Sequence, residues 1–334
     1  MQLALDAMGG DHGPRATVDG AYLYLKEHAR KDRVYLVGDE EQLRERLQQI
    51  PEKYHDQLPV VHAPENIGMN EAPLEAFKKK KNSSMSIGLQ MHADKQVQAF
   101  VSAGHTGAQM AGSLFTLKRI PGVKRPVIGS FIPSEKGMIF LVDVGANVDS
   151  KPEHLLQFAI MGNIFVREVF KQKNISIGLL SIGEEEKKGN ELTIKAHQLF
   201  KKKLKNFYGN VEGRDILKGT TDIVVCDGFV GNSLLKMAES VMGLLVKSFK
   251  KNVGSNLFTN LGALLVKPAF SEIKRSYDYE EYGGVPLLGV NGISIICHGK
   301  SSPKAIKNAL LVAREMNEHK VNEMIEKKLK DEGI

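Results

Sequence analysis

Six residues, Ser102-Ala103-Gly104-His105-Thr106-Gly107, carry the first sign of chemistry in this chain. They lie between a β-rich apolar stretch, Val97 to Val101, and a helix-like run with apolar residues at Met110, Leu114 and Leu117. A strand, a glycine turn and a helix make an anion site: glycines let the backbone approach a ligand, and the first helical N–H groups point at it. Ser102, His105 and Thr106 add side-chain donors at the same mouth. Comparable loops recur around Gly9-Gly10 with Asp6, Asp11 and His12, at Asp143 to Asn147, at Gly183 to Lys188, and at Asp227 to Asn232. All are expected to converge on one phosphate-binding cleft. Each aspartate that follows a strand either caps a helix or orients a cationic group, and Lys188, just ahead of a helix, is a useful cation beside phosphate.

Other chemistries lack their motifs. No G-x-G-x-x-G follows the first strand and no G-x-x-x-x-G-K-[ST] occurs, which disfavours a dinucleotide oxidoreductase and a P-loop NTPase. G-x-S-x-G is missing, which argues against a serine-hydrolase elbow. The ten histidines never fall in HExxH or another paired ligand spacing, so no metal is expected.

Stepping from the loops to their supports, strands are expected at Gln2–Ala7, Arg33–Val37, Val60–His62, Val97–Val101, Val127–Ile132, Met138–Val142, Ile175–Leu180, Asp222–Cys226, Val285–Leu288 and Ile293–Cys297. Helical patterns alternate with them: Pro14 to about Ala29, Gly38 to Gln49, Asn70 to Lys81, Ser83 or Ser84 to Ala93, Pro152 to Phe170, Asn190 to Leu204, Ser233 to Lys251 and Ser301 to Lys328. Alternation of this kind implies a mainly parallel sheet covered on both faces, with the strand-end loops along one edge. No low-complexity linker or repeat divides the 334 residues. One α/β domain is therefore expected, with the helices at about 230–280 as a protrusion.

Cys226 and Cys297 lie in apolar runs outside any CxxC pair, which fits a reducing compartment. The start, MQLALDAMGG, has no basic n-region and carries Asp6, so it does not read as a signal peptide. No apolar run reaches the roughly 18 residues of a spanning helix. A cytoplasmic protein is expected, one still able to touch a membrane surface. The net charge of +7 is clumped at Lys78 to Lys81, at Lys201 to Lys203 with Lys205, and at Lys327-Lys328. Such patches attract anionic lipid or an acidic protein. Nucleic acid is not expected, because no helix-turn-helix, finger or aromatic-basic pattern accompanies the lysines.

Taken together, DAMGGDHGP (6–14), SAGHTGA (102–108), DVGANVD (143–149), IGEEEKKGNE (182–191), GNVEGRD (209–215), CDGFVGN (226–232) and PLLGVNG (286–292) form an ordered set over nearly the whole chain. The set resembles the fatty acyl-(acyl carrier protein):phosphate acyltransferase family of bacterial phospholipid synthesis. The resemblance implies a three-layer α/β/α sandwich, Rossmann-like and related to phosphotransacetylases and isopropylmalate-type dehydrogenases, usually dimeric. It implies transfer of a long-chain fatty acyl group from acyl carrier protein, on its phosphopantetheine arm, to inorganic phosphate, with no cofactor and no metal. The acyl phosphate product then feeds a membrane-bound glycerol-3-phosphate acyltransferase. Two positions depart from the family pattern: His105 and Ser181 stand where Asn is usual. His105 still offers a donor.

The chemistry implied is undemanding. Phosphate is a competent nucleophile near neutral pH and a thiol leaving group has a pKa near 8.5, so a backbone nest, a cation and oxyanion donors suffice. On this resemblance Ser102, Gly104, Thr106 and Gly107 are expected to hold phosphate. Lys188 and Asn232 meet transition-state charge, with Asp227 and His105 as orienting or proton-handling groups. Asp6, Gly9, Gly10, Asp11, Gly145, Asn147, Gly231 and Asn291 are expected to bind substrate. In the helix after Asn232, an apolar stripe from Leu234 to Phe249 runs with Lys236, Lys247, Lys250 and Lys251, and a second apolar patch spans Leu257 to Val266. It packs in the core or a dimer, or forms a tip that lies on anionic membrane. Three competing readings carry their own requirements: a short-chain acyltransferase uses acyl-CoA, a membrane-associated acyl-carrier scaffold catalyses nothing, and a decarboxylating dehydrogenase of similar fold needs nicotinamide and a divalent ion.

Overall fold

The computed structural model describes residues 1–28, 31–253 and 279–333. Its strands are β1 (Gln2–Asp6), β2 (Arg33–Gly38), β3 (Val60–His62), β4 (Ala99–Ser102), β5 (Val127–Ser134), β6 (Gly137–Val142), β7 (Ile177–Leu180), β8 (Phe207–Val211), β9 (Ile223–Val225), β10 (Val285–Leu288) and β11 (Ser294–Ile296). Helices α1 (Gly13–Glu27), α2 (Glu40–Leu47), α3 (Pro73–Lys79), α4 (Ser84–Ala93), α5 (Thr106–Thr116) and α6 (Pro152–Val169) come first in the chain. They are followed by α7 (Glu191–Lys203), α8 (Gly213–Lys218), α9 (Gly228–Val253), α10 (Pro303–Glu318) and α11 (Val321–Asp331).

Where the sequence reading places one domain, the chain groups into two compact units. The first is Met1–Gly129, Ile160–Lys173 and Glu280–Ile334; the second is Ser130–Ala159 and Asn174–Tyr279. In the first unit the strand order is β3-β2-β1-β4-β11-β10, and in the second it is β6-β9-β7-β8. β5 starts in the first unit, where Val127 and Ile128 pair antiparallel with Leu288 and Leu287. The pairs β1–β2, β2–β3, β1–β4 and β4–β11 are parallel, as are β6–β9, β7–β9 and β7–β8. The sheet is thus mainly parallel, with β10 pairing antiparallel to β11 and to β5.

Strands buried on both faces need continuous apolar sequence. Ala99 to Ser102 and Ile177 to Leu180 are buried at every position. Leu3, Leu5, Leu36, Phe100 and Tyr24 fill the first core; Phe140, Leu141, Leu179, Phe200 and Val224 fill the second. Helices begin where a short polar side chain takes a free N–H. Asp39 accepts from Gln42 (3.0 Å), Ser83 from Ser86 (3.2 Å), Asn190 from Thr193 (2.9 Å) and Ser302 from Ala305 (3.3 Å).

Two elements depart from the sequence reading. β8 and α8 occupy Phe207 to Lys218, which reads only as a motif in the sequence; Glu212 and Asp215 cap the helix reciprocally. The single terminal helix is two, because Lys320 turns left-handed (φ 50°) between α10 and α11, with no glycine or proline to mark the break. The expected protrusion, and the apolar patch at Leu257 to Val266 within it, lie largely outside the described residues.

One half-buried histidine ties the first unit together. His92 Nε2 accepts from the Ile293 N–H at 2.8 Å, so its proton sits on Nδ1 and is donated to the Val97 carbonyl at 3.0 Å. Burial pulls the ring below the usual imidazole value of 6.5, against the Val97 bond, which raises it. A depressed histidine contributes stability that is complete above the unfolded pKa and lost as pH falls from about 6.5 through the folded value. The melting temperature is therefore expected to drop on acidification below about pH 6.5, with a shallower drop in His92→Gln. Identical slopes in the two proteins would remove His92 from the account.

Candidate functional site

In the first unit the loops after the parallel strands β1, β4 and β11 share one edge. α5 starts there without a cap: His105 is its N-cap residue but makes no side-chain cap bond. The first carbonyl to accept from the helix is His105 O, from Gln109 N at 2.9 Å, so Thr106, Gly107 and Ala108 present their N–H groups ahead of the ladder. Free N–H groups at a helix start are the arrangement that receives anions. Beneath it, Ser102 Oγ donates to Asp6 Oδ2 (2.7 Å) and accepts from the Gly104 N–H (2.9 Å). Asp6 also accepts from the Met8 N–H at 3.3 Å. Burial pushes the Asp6 carboxyl above the usual range, while the Ser84 and Ser102 hydroxyls and the Met8 and Gly9 N–H groups pull it back. Gly9 is seated so closely that an added Cβ would lie 2.7 Å from Gly104 N, and Asp11 N donates to Gly299 O at 2.7 Å.

Ser102 is therefore a brace behind the nest and not a phosphate donor. It is fully buried, and both its hydrogen and a lone pair are engaged. Ser102→Ala is expected to destabilise the chain by about 1–3 kcal/mol, because the Gly104 N–H and the Asp6 carboxyl each lose a partner. It should also raise the KM for phosphate more than it lowers kcat. Urea denaturation and a phosphate titration check both, and an unchanged unfolding midpoint would contradict the brace.

In the second unit a carboxylate plays a similar part. Asp143, fully buried, accepts from Gly145 N (2.9 Å) and Ala146 N (2.8 Å) on Oδ1, and from Asn147 N (2.8 Å) and Nδ2 (2.9 Å) on Oδ2. Burial raises its pKa, and these four donors lower it. The next loop docks on this turn: Gly228 N donates to Asn147 O at 2.8 Å, and the Gly231 Cα approaches the Asp143 carbonyl so closely that a Cβ would lie 1.8 Å from the oxygen. Asp227 Oδ1 accepts from Val230 N (2.9 Å) and so caps α9, the first of the two roles its position allowed. Asn232, exposed in the next turn, lies with its Cβ and Cγ against Gly145.

Lys188 is exposed on the β7–α7 loop. Its carbonyl takes the Ser181 hydroxyl at 2.9 Å and its N–H reaches Glu185 O at 2.9 Å. The following Gly189 holds φ at +116°, and a Cβ there would meet Thr193 Oγ1 at 2.0 Å. Glu184 pairs with Arg214 and Glu186 with Lys201, but among the described residues no carboxylate lies within ion-pair distance of the Lys188 ammonium. Beside this loop, the second unit contains an apolar cavity of about 530 Å³, walled by Leu155, Leu180, Ile182, Leu192, Val230 and Leu234. The sequence reading missed these walls. The signal present was Ile182, an isoleucine opening a run of five charged residues and 81% exposed.

The first unit thus brings together Asp6, Gly9, Gly10, Asp11, Ser102, Gly104, Thr106 and Gly107. His105 turns aside, its Nε2 against the Glu71 carbonyl at 3.1 Å, which anchors α5 to the segment before α3. The second unit brings together Gly145, Asn147, Asp227, Gly231 and Asn232, while Lys188 lies on the β7–α7 loop. Asn147 Nδ2 donates to Asp143, and Gly231 serves close packing on the Asp143 carbonyl. Asn291 is misplaced by the sequence reading. It sits between β10 and β11, and because these run antiparallel, their connection lies at the sheet edge opposite the nest. There its N–H donates to Lys118 O at 2.9 Å.

A family model described as "Fatty acid synthesis protein" matches residues 1–324. A phosphate acyltransferase of Pelotomaculum thermopropionicum is 49% identical over 97% of this chain and 94% of its own, and one of Desulforamulus reducens is 46% identical over 100% and 99%. The chain belongs to the phosphate acyltransferase family. Its fold within that family is also the fold of more distant enzymes. The EutD phosphotransacetylase of Staphylococcus aureus superposes with a TM-score of 0.63 at 14% identity, covering 94% of both chains. A phosphotransacetylase of Streptococcus pyogenes gives 0.61 at 16%, covering 95% and 94%. The mixed α/β, phosphotransacetylase-like architecture expected from the motifs is the observed one. Among the described residues no helix is long and apolar enough to cross a membrane.

Proposed function

We propose that this chain moves a long-chain fatty acyl group from the thioester of acyl carrier protein to inorganic phosphate. A phosphate oxygen attacks the thioester carbonyl, the C–S bond breaks, and the carrier leaves as its thiol with acyl phosphate as the other product. The observation that carries this reading is the uncapped start of α5 on its Asp6–Ser102–Gly104 brace, in a chain of the phosphate acyltransferase family. A bare helix end with N–H groups forward suits a small dianion.

The roles follow from what each group has free. The N–H groups of Thr106, Gly107 and Ala108 hold phosphate. Within the second unit, the unpaired Lys188 ammonium and the exposed Asn232 amide are the groups left free to meet negative charge. Asp6, Asp143 and Asp227 position loops and move no proton, since each carboxylate is occupied by N–H or O–H donors. No bound cofactor or metal enters the reaction. In this reading the enzyme is a cytoplasmic homodimer. Its lysine clusters receive the acidic carrier. The exposed apolar residues Met237, Val241, Leu244 and Leu245 of α9 bring it to the inner membrane face, near the membrane-bound glycerol-3-phosphate acyltransferase that consumes its product.

Incubation with palmitoyl-acyl carrier protein should release carrier thiol and acyl phosphate only when phosphate is present, and more slowly with palmitoyl-CoA as donor. Thioester that persists with and without phosphate would overturn the proposal. Faster turnover of a short-chain acyl-CoA would replace it with the acyl-CoA-dependent reaction.

A further inference from the structure

We infer that the apolar cavity of the second unit holds the alkyl chain of the acyl donor and so sets chain-length preference; this rests on the transfer proposed above. Its volume, about 530 Å³, lies within the range of ligand sites, and its walls are aliphatic. Leu155 comes from α6, Leu180 from the end of β7, Leu192 from α7, and Val230 and Leu234 from successive turns of α9. Four polar residues also touch the cavity, and each has a hydrogen-bonding group engaged elsewhere. The Ser181 hydroxyl is on Lys188 O, Asn190 Oδ1 caps α7, Thr193 Oγ1 donates to Asn190 O, and Asp227 Oδ1 caps α9. A guest made of methylenes leaves these bonds intact, whereas an amide-bearing guest must compete with them.

The chain's end is also placed. Gly189 and Asp227 line the cavity, and Gly189 directly follows Lys188. A chain lying among the leucines therefore meets the Lys188 loop at one end, where its thioester carbonyl is needed. The rim supplies a further reason. Ile182 is 81% exposed and Val230 37%, so a lipid chain laid across them removes apolar surface from water. A second copy of this protein covering the same rim is the competing occupant, and it predicts no dependence on acyl length.

The test uses palmitoyl and butyryl groups on the same acyl carrier protein, with Leu234→Trp to fill the cavity and Leu234→Ala to widen it. Each methylene excluded costs about fourfold in binding, so Leu234→Trp should raise the palmitoyl KM more than about tenfold relative to the butyryl KM. Leu234→Ala should raise the same ratio severalfold through lost contacts. Equal changes for both donors, or none, would overturn the inference while leaving phosphate-dependent transfer standing. Binding of the fluorescent lipid cis-parinaric acid gives a readout free of catalysis. Should the wild-type chain turn over no thioester, the transfer itself fails and this probe decides alone. Saturable binding displaced by palmitate but not butyrate, and weakened by Leu234→Trp, supports the cavity; no saturable binding overturns it.

Discussion

Lys188→Ala is expected to slow acyl-phosphate formation about a hundred- to thousandfold, mostly in kcat, with the fold unchanged. The ammonium is exposed, so truncating it opens no cavity, and no ion pair among the described residues is lost. Its backbone stays where Ser181, Glu185 and the left-handed Gly189 hold it. On the proposed transfer, what disappears is a cation whose loss costs most when the thioester oxygen becomes negative. Lys187→Ala, one residue away in the same exposed turn, controls for net charge and should retain activity within about twofold. Rates alike in the two variants would show that Lys188 acts only through the general field.

Gly231→Ala should be the most damaging single methyl in the second unit, at roughly 3 kcal/mol or above. The added Cβ would lie 1.8 Å from the Asp143 carbonyl oxygen and 2.9 Å from Cys226 Sγ, both fixed by strand pairing. Relief requires the first turn of α9 to lift away, and with it the Gly228 N–H bond to Asn147. Activity should fall with stability, because Asn232 rides on that turn. Gly213→Ala is the control: its Cβ would meet nothing within 4 Å, so neutrality or slight stabilisation is expected. A Gly231→Ala protein that unfolds in urea at the wild-type midpoint would refute this packing role.

Much of the scaffold was legible because its causes are local. Apolar runs of strand length, turn residues after them and caps such as Ser83 lie within a few residues of what they govern. The strand, glycine loop and uncapped start of α5 are of this kind, since they form one continuous piece of chain. Asp227 as a cap was equally readable, its bond reaching only three residues ahead. By contrast, nothing around Lys320 announces a helix break: no proline or glycine stands there, and packing decides it.

Local sequence therefore sets the alternation of elements, the family motifs and which loops carry donors. Which of those donors remain free is settled by long-range packing. Ser102 is spent on Asp6, 96 residues away. His105 is drawn to Glu71, and Asn291 is carried to the far edge because β10 runs antiparallel to β11. A hydrogen-bonding group has few valences, and whether they are consumed depends on neighbours brought in from distant sequence. The same holds for the leucine-walled cavity, whose sides come from four separate elements and the β7–α7 loop, and exist as one surface only after the chain has folded.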